Sequence, residues 1–125
     1  MSQKYHITVE AQAFYLEEHS NAIDDQYAFA YRITIRNSGE VPARLLTRHW
    51  YITDANDHVQ EVRGAGVVGE HPHLAPGEEF TYTSGATIRT PYGTMRGSYQ
   101  MEADDGTRFD ADIPEFHLIA PRVLH

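Results

Sequence analysis

The sequence contains no cysteine. Disulfide scaffolds, thiolate metal sites and cysteine nucleophiles are excluded with it. No apolar run approaches the ~20 residues that a bilayer-crossing helix needs. The opening MSQKYHITVE has no apolar core of signal-peptide length, so the expected location is cytoplasmic. Cations are scarce: 10 Lys and Arg stand against 18 Asp and Glu, a net charge of −8. An acidic surface repels phosphate backbones and anionic lipids, so nucleic acid and membrane insertion are not expected. Missing too is any sustained 3.6-residue hydrophobic period, which removes the signature of amphipathic helices.

Period-two alternation is present instead. In YHITVEAQA, Tyr5, Ile7, Val9, Ala11 and Ala13 fall on one side. In QYAFAYRITIRN, Tyr27, Phe29, Tyr31, Ile33 and Ile35 oppose Arg32, Thr34 and Arg36. ARLLTRHWYITD reads as a strand with Leu46, Trp50 and Ile52 on one face and Leu45, His49 and Tyr51 on the other. Further strands follow at VQEVR, EFTYTSG, TMRGSYQMEA, TRFDADI and a last short one in PEFHLIAPRVL, with turn chemistry at NSGEVP, DANDH, TPYGT and DDG. Seven to eight strands spaced about ten residues apart describe an all-β, immunoglobulin-like antiparallel β-sandwich. Without the immunoglobulin cysteine pair, the fibronectin type III-like form fits better. The 125 residues form one expected domain, 1–125.

One stretch, RGAGVVGEHPHLAPGEEF, contains the spacing G-x-G-x-x-G at Gly64, Gly66 and Gly69. A dinucleotide-binding loop needs a helix starting inside that motif, because the helix N-terminus holds the pyrophosphate. Pro72, Pro76 and Gly77 forbid the helix. The glycines then read as positions of positive φ or close strand crossing, with Val67 and Val68 as anchors. A backbone nest for an anion needs no helix and is the remaining functional reading.

His71 and His73, with Glu70 before them and Glu78 and Glu79 nearby, could collect a divalent cation, joined by His49 and His58 if the fold brings them close. The same 8 histidines read equally well as surface residues. Asp104, Asp105, Asp110 and Asp112 read as a solvated edge rather than a cation site; Asp54, Asn56 and Asp57 read as turn formers. No G-x-S-x-G or H-E-x-x-H is present, and Ser84 reads as a strand-end serine. Trp50 belongs in the core. Thr90, Pro91, Tyr92 and Gly93 form an exposed turn for a partner, and Phe116, Leu118, Ile119, Val123 and Leu124 make an apolar tail. Uncovered sheet edges suit strand addition or homodimer formation.

The blocks R-H-W-x-I-T-D from Arg48, G-V-V-G-E-x-P-x-L-x-P-G-E from Gly66 and T-P-x-G-T-M-x-G-x-Y from Thr90 together resemble the ApaG family, and the resemblance runs over nearly the whole chain. It implies a fibronectin type III-like sandwich in a bacterial family without an established biochemical activity. It further implies a genetic link to cobalt and magnesium tolerance or efflux, and a protein-binding role like that supposed for related domains in eukaryotic F-box proteins. A pyrophosphate role for Gly64, Gly66 and Gly69 is among the implications, and the prolines oppose its helical form. The expectation is therefore a non-enzymatic protein-interaction module with no resident cofactor. The alternative is a direct binder of a divalent metal or a pyrophosphate-bearing nucleotide through the glycine loop and its histidines.

Overall fold

Alternating apolar residues need two facing surfaces to bury them, and two antiparallel sheets supply these. The computed structural model describes residues 3–121. The strands are β1 (Ile7–Tyr15), β2 (Tyr27–Asn37), β3 (Ala43–Asp54), β4 (Val59–Ala65), β5 (His73–Leu74), β6 (Glu79–Ile88), β7 (Tyr92–Ala103) and β8 (Arg108–Ile119). One sheet has the order β1-β2-β6; the other has β4-β3-β7-β8, with the two-residue β5 added against β3. The polar stretch between β1 and β2 holds two single-turn 3₁₀ helices, and the Asn21 side chain caps the second.

The core lies between the sheets. Phe29, Tyr31, Ile33 and Ile35 of β2 meet Leu45, Trp50, Met95, Tyr99 and Leu118 of the other sheet. Trp50 is 2% exposed and packs edge-on against Tyr31, Tyr99 and Phe116.

Two bulges correct the sequence reading. The β3–β7 register shifts between Leu45 and Thr47. A bulge resets the phase of a strand, so every side chain beyond it changes face. Leu45, not Leu46, therefore enters the core, while Arg48, Trp50 and Ile52 follow on the same inner face. The second shift lies opposite Arg96, between Met95 and Gly97. It accommodates Pro114, which has no N–H to give to a ladder. β8 thus continues through the proline to Ile119 instead of breaking into two short strands. Leu118 is buried and Ile119 exposed; Val123 and Leu124 lie outside the described residues.

The two flanks of the sandwich differ. On one, β1 packs along β8, and Tyr5 lies 5.6 Å from Phe109. The Tyr5 hydroxyl donates to Asp105, which holds that carboxyl below its usual range, with help from the Thr107 N–H. A depressed folded-state pKa stabilises above the unfolded value and is lost as pH falls through the folded one. Below about pH 4 this clasp should therefore weaken. The reporter is the Glu40 amide, which donates to the Lys4 carbonyl. Its protection factor, the exchange rate set against the intrinsic rate at each pH, should fall on acidification, and Asp105→Asn should flatten that dependence.

On the other flank, β4 and β6 do not pair. Two cavities open there between the sheets. Among the described residues no helix is long and apolar enough to cross a membrane.

Candidate functional site

The glycine stretch turns the chain out of β4 and over the open flank. Val67 and Glu70 exchange both backbone hydrogen bonds, 2.9 and 2.8 Å, around the two central residues Val68 and Gly69. Both central residues have positive φ, 43° and 79°, which is a type I′ turn. No helix starts here. Each glycine has its own reason. Gly69 supplies a left-handed turn position. Gly66 combines φ 62° with a backbone approach that leaves no room for a Cβ, which would stand 2.5 Å from the Glu70 carbonyl oxygen. Gly64 is a seat: a Cβ there would lie 2.6–2.8 Å from the Nη2, Cζ and Nη1 atoms of Arg48.

Only one of the two valines anchors the hairpin. Val67 is buried. Val68 is 56% exposed and holds a left-handed conformation that β-branched residues avoid. Val68→Asn should relieve that strain and raise stability by about 1 kcal/mol, read as a higher urea midpoint. An unchanged midpoint would mean the turn is not strained.

Arg48 is the residue that sequence reasoning missed. It is half-buried, whereas every other described lysine and arginine is exposed. Its Nη1 donates to the carbonyls of Ala65 (3.0 Å) and Gly66 (2.8 Å). Among the described residues no carboxylate pairs with it, although Arg36, Arg63, Arg108 and Lys4 all have acidic partners at the surface. The signal was its parity: Arg48 stands two residues before Trp50 and shares its inward face.

Arg48 lines a cavity of about 270 Å³ together with Tyr31, Val67, Val68, Tyr82 and Ser84. The Tyr82 hydroxyl hydrogen-bonds that of Tyr99. Burial pushes both phenols far above their usual pKa, outweighing the opposing pull of the Arg48 charge. Both are neutral, so neither supplies a counter-charge to the guanidinium. Ser84 does not end its strand; β6 carries on to Ile88, and Ser84 faces the cavity from within it.

The histidines diverge. His71 Nδ1 lies 3.2 Å from the Leu45 carbonyl oxygen, and His73 Nε2 2.8 Å from Asp104. Glu70 closes the hairpin through its backbone bonds to Val67 and is exposed. His49 pairs with Glu61 and His58 with Asp54. Among the described residues no group of three His, Asp or Glu side chains is placed to hold a metal ion.

The turn at Thr90 is partly internal. The Thr90 hydroxyl accepts from the Ala55 N–H (3.0 Å) and donates to the Tyr92 carbonyl (2.6 Å), tying the β6–β7 turn to the β3–β4 hairpin. Gly93 is buried where Thr53 passes, with no room for a side chain. Pro91 and Tyr92 remain exposed, Tyr92 stacking on His117 with a 2.9 Å hydrogen bond to its Nδ1.

The model of the ApaG domain matches residues 17–103. The chain belongs to the ApaG family. It is 65% identical over 124 residues to Protein ApaG of Azoarcus sp. (strain BH72), covering 99% of this chain and 98% of the relative. Identity to Protein ApaG of Chromobacterium violaceum is 60% over 121 residues, covering 97% and 96%. The crystal structure of the ApaA protein from Bordetella pertussis superposes with a TM-score of 0.93 at 48% identity, covering 98% of this chain and all of that one. The three sequence blocks that carried the ApaG resemblance converge in space, the third setting Tyr99 and Gly97 opposite Arg48 and Trp50. The first brings Arg48 and Trp50 to the inner face of β3, and the second builds the hairpin that roofs the same cleft.

Proposed function

We propose that this ApaG-family chain is a non-catalytic binding module that takes an extended segment of a protein partner as an added strand on β6. One observation carries the reading. β6 is an edge strand of 10 residues in unbroken register with β2. Its outward residues are Thr81, Thr83, Gly85 and Thr87, and its one charge, Glu79, sits at the first position. Long uncharged edges without proline or bulge invite pairing, and folded proteins ordinarily guard them. The other sheet guards its own edge: β8 carries Asp110, Asp112 and Glu115 and a proline bulge. A partner strand on β6 gains main-chain hydrogen bonds and presents alternate side chains to the cleft. The cobalt and magnesium link that the family resemblance implies then runs through the partner, in the cytoplasm.

The test is affinity capture from native cells with the unaltered chain and with Thr81→Lys/Thr87→Lys, which charges the edge while leaving the core intact. A saturable partner should be retained by the first and lost by the second. An identical partner set from both would remove β6 from the reading. Sedimentation of the pure chain separates the homodimer, which would use the same edge.

A further inference from the structure

The open flank has a chemical polarity that specifies what kind of strand it receives. Its first cavity holds Arg48, which among the described residues has no hydrogen-bond partner at Nε or Nη2 and no carboxylate in ion-pair reach. Taking a guanidinium partly out of water without a counter-charge is costly, and bidentate carboxylate pairing is the geometry that its remaining N–H groups fit. Ser84 and Tyr31 bring to the same cavity hydroxyls that no other described residue hydrogen-bonds. The second cavity, about 180 Å³, lies further along the flank and is lined by the apolar Ile52, Val59 and Ile88 and by polar residues, Asp54, His58 and Arg89 among them.

Ser84 lines the first cavity and Ile88 the second. They are four residues apart on one face of β6, about 13 Å at strand rise. A strand laid on that edge presents side chains to the two cavities with the same spacing.

We propose that the cleft receives an extended protein segment carrying an Asp or Glu carboxylate for Arg48 and, four residues away, an apolar side chain for the Ile52–Ile88 cavity. The inference rests on the strand-addition reading of β6 and adds the chemistry of the partner. A free small oxyanion is the weaker occupant. It would approach a chain of net charge −8 without the main-chain bonds that hold an added strand.

The experiment is an NMR titration with two blocked nonapeptides of alternating Thr and Val, lysine-tipped for solubility, with either glutamate or glutamine at the position that reaches Arg48. Both should shift the β6 amides from Thr81 to Thr87. The glutamate peptide should bind at least fivefold tighter and move the Arg48 Nε–H resonance. Its advantage should vanish in Arg48→Met and shrink in Gly64→Ala, whose methyl group displaces the guanidinium without removing its charge. Equal affinities for the two peptides on the unaltered chain would overturn the carboxylate site and leave strand addition standing. Movement of the Arg48 resonance with static β6 amides would do the reverse. Silence at both places at millimolar peptide would overturn both. Inorganic phosphate added alone is the control for a free oxyanion. Saturation of Arg48 by phosphate with an affinity matching the glutamate peptide would overturn the assignment to a protein segment.

Discussion

Trp50→Ala should lower stability by about 3–5 kcal/mol, the range for truncating a large buried aromatic. Trp50 sits where the two sheets meet, with Tyr31 on one side and Tyr99 and Phe116 on the other. Its removal empties the centre of the core and breaks three edge-on ring contacts. Trp50→Phe is expected to cost far less, about 1 kcal/mol. The indole Nε1–H is the one buried side-chain polar atom without a partner among the described residues. An unsatisfied buried donor costs about 1–3 kcal/mol, so phenylalanine loses volume but also removes that penalty. Urea unfolding followed by far-ultraviolet circular dichroism reads both variants. A Trp50→Phe cost close to that of Trp50→Ala would show that the indole N–H is not orphaned.

Gly97→Ala is the second large effect, at about 3 kcal/mol, the upper end of overpacking costs. Gly97 lies in the middle of β7, directly opposite Trp50. A Cβ there would stand 2.0 Å from the His49 carbonyl oxygen and 3.2 Å from the Trp50 Cα. Both obstacles are backbone, so no rotamer change relieves them; β3 and β7 must separate. The thermal midpoint should fall by roughly 10 °C. A midpoint within a degree or two of the unaltered chain would mean that the strands open there without penalty.

The sandwich was legible because its signal is local and repeated. Every odd residue of β2 from Tyr27 to Ile35 faces inward, as the alternation says. The DDG turn closes β7 onto β8 with Gly106 at φ 88°. What escaped were the breaks in period. The bulge after Leu45 has no composition mark, so strict alternation puts Leu46, not Leu45, on the face of Trp50 and Ile52. A proline usually ends a strand, and only the register with Met95 and Gly97 shows Pro114 held in a bulge.

The candidate site was half legible. Three glycines in G-x-G-x-x-G suggested one shared purpose, and the prolines correctly removed the helix. Their three separate duties depend on Glu70 and Arg48, neighbours that spacing alone does not reveal. Arg48 escaped for a related reason. A single arginine in a strand reads as a surface residue, and its lack of an acidic partner is a property of the folded molecule. His71 and His73 look paired in sequence, yet only His73 belongs to the two-residue β5, and the two do not converge: one imidazole turns to Leu45, the other to Asp104.

The packing of β1 along β8 has a mechanical consequence. Tyr5 meets Phe109, and residues 7–9 border residues 110–112, so the two strands run in the same direction. The start of β1, level with Asp110, and the end of β8 at Ile119 therefore lie at opposite poles, about 30 Å apart for nine residues of strand. Tension applied between those points would act along the strands and load the rungs of the β1–β2 and β7–β8 ladders together in shear, not one at a time as in peeling. Tethers attached at the two poles would leave the β4–β6 flank clear, so the same molecule could be stretched in a single-molecule trap and offered a peptide at once.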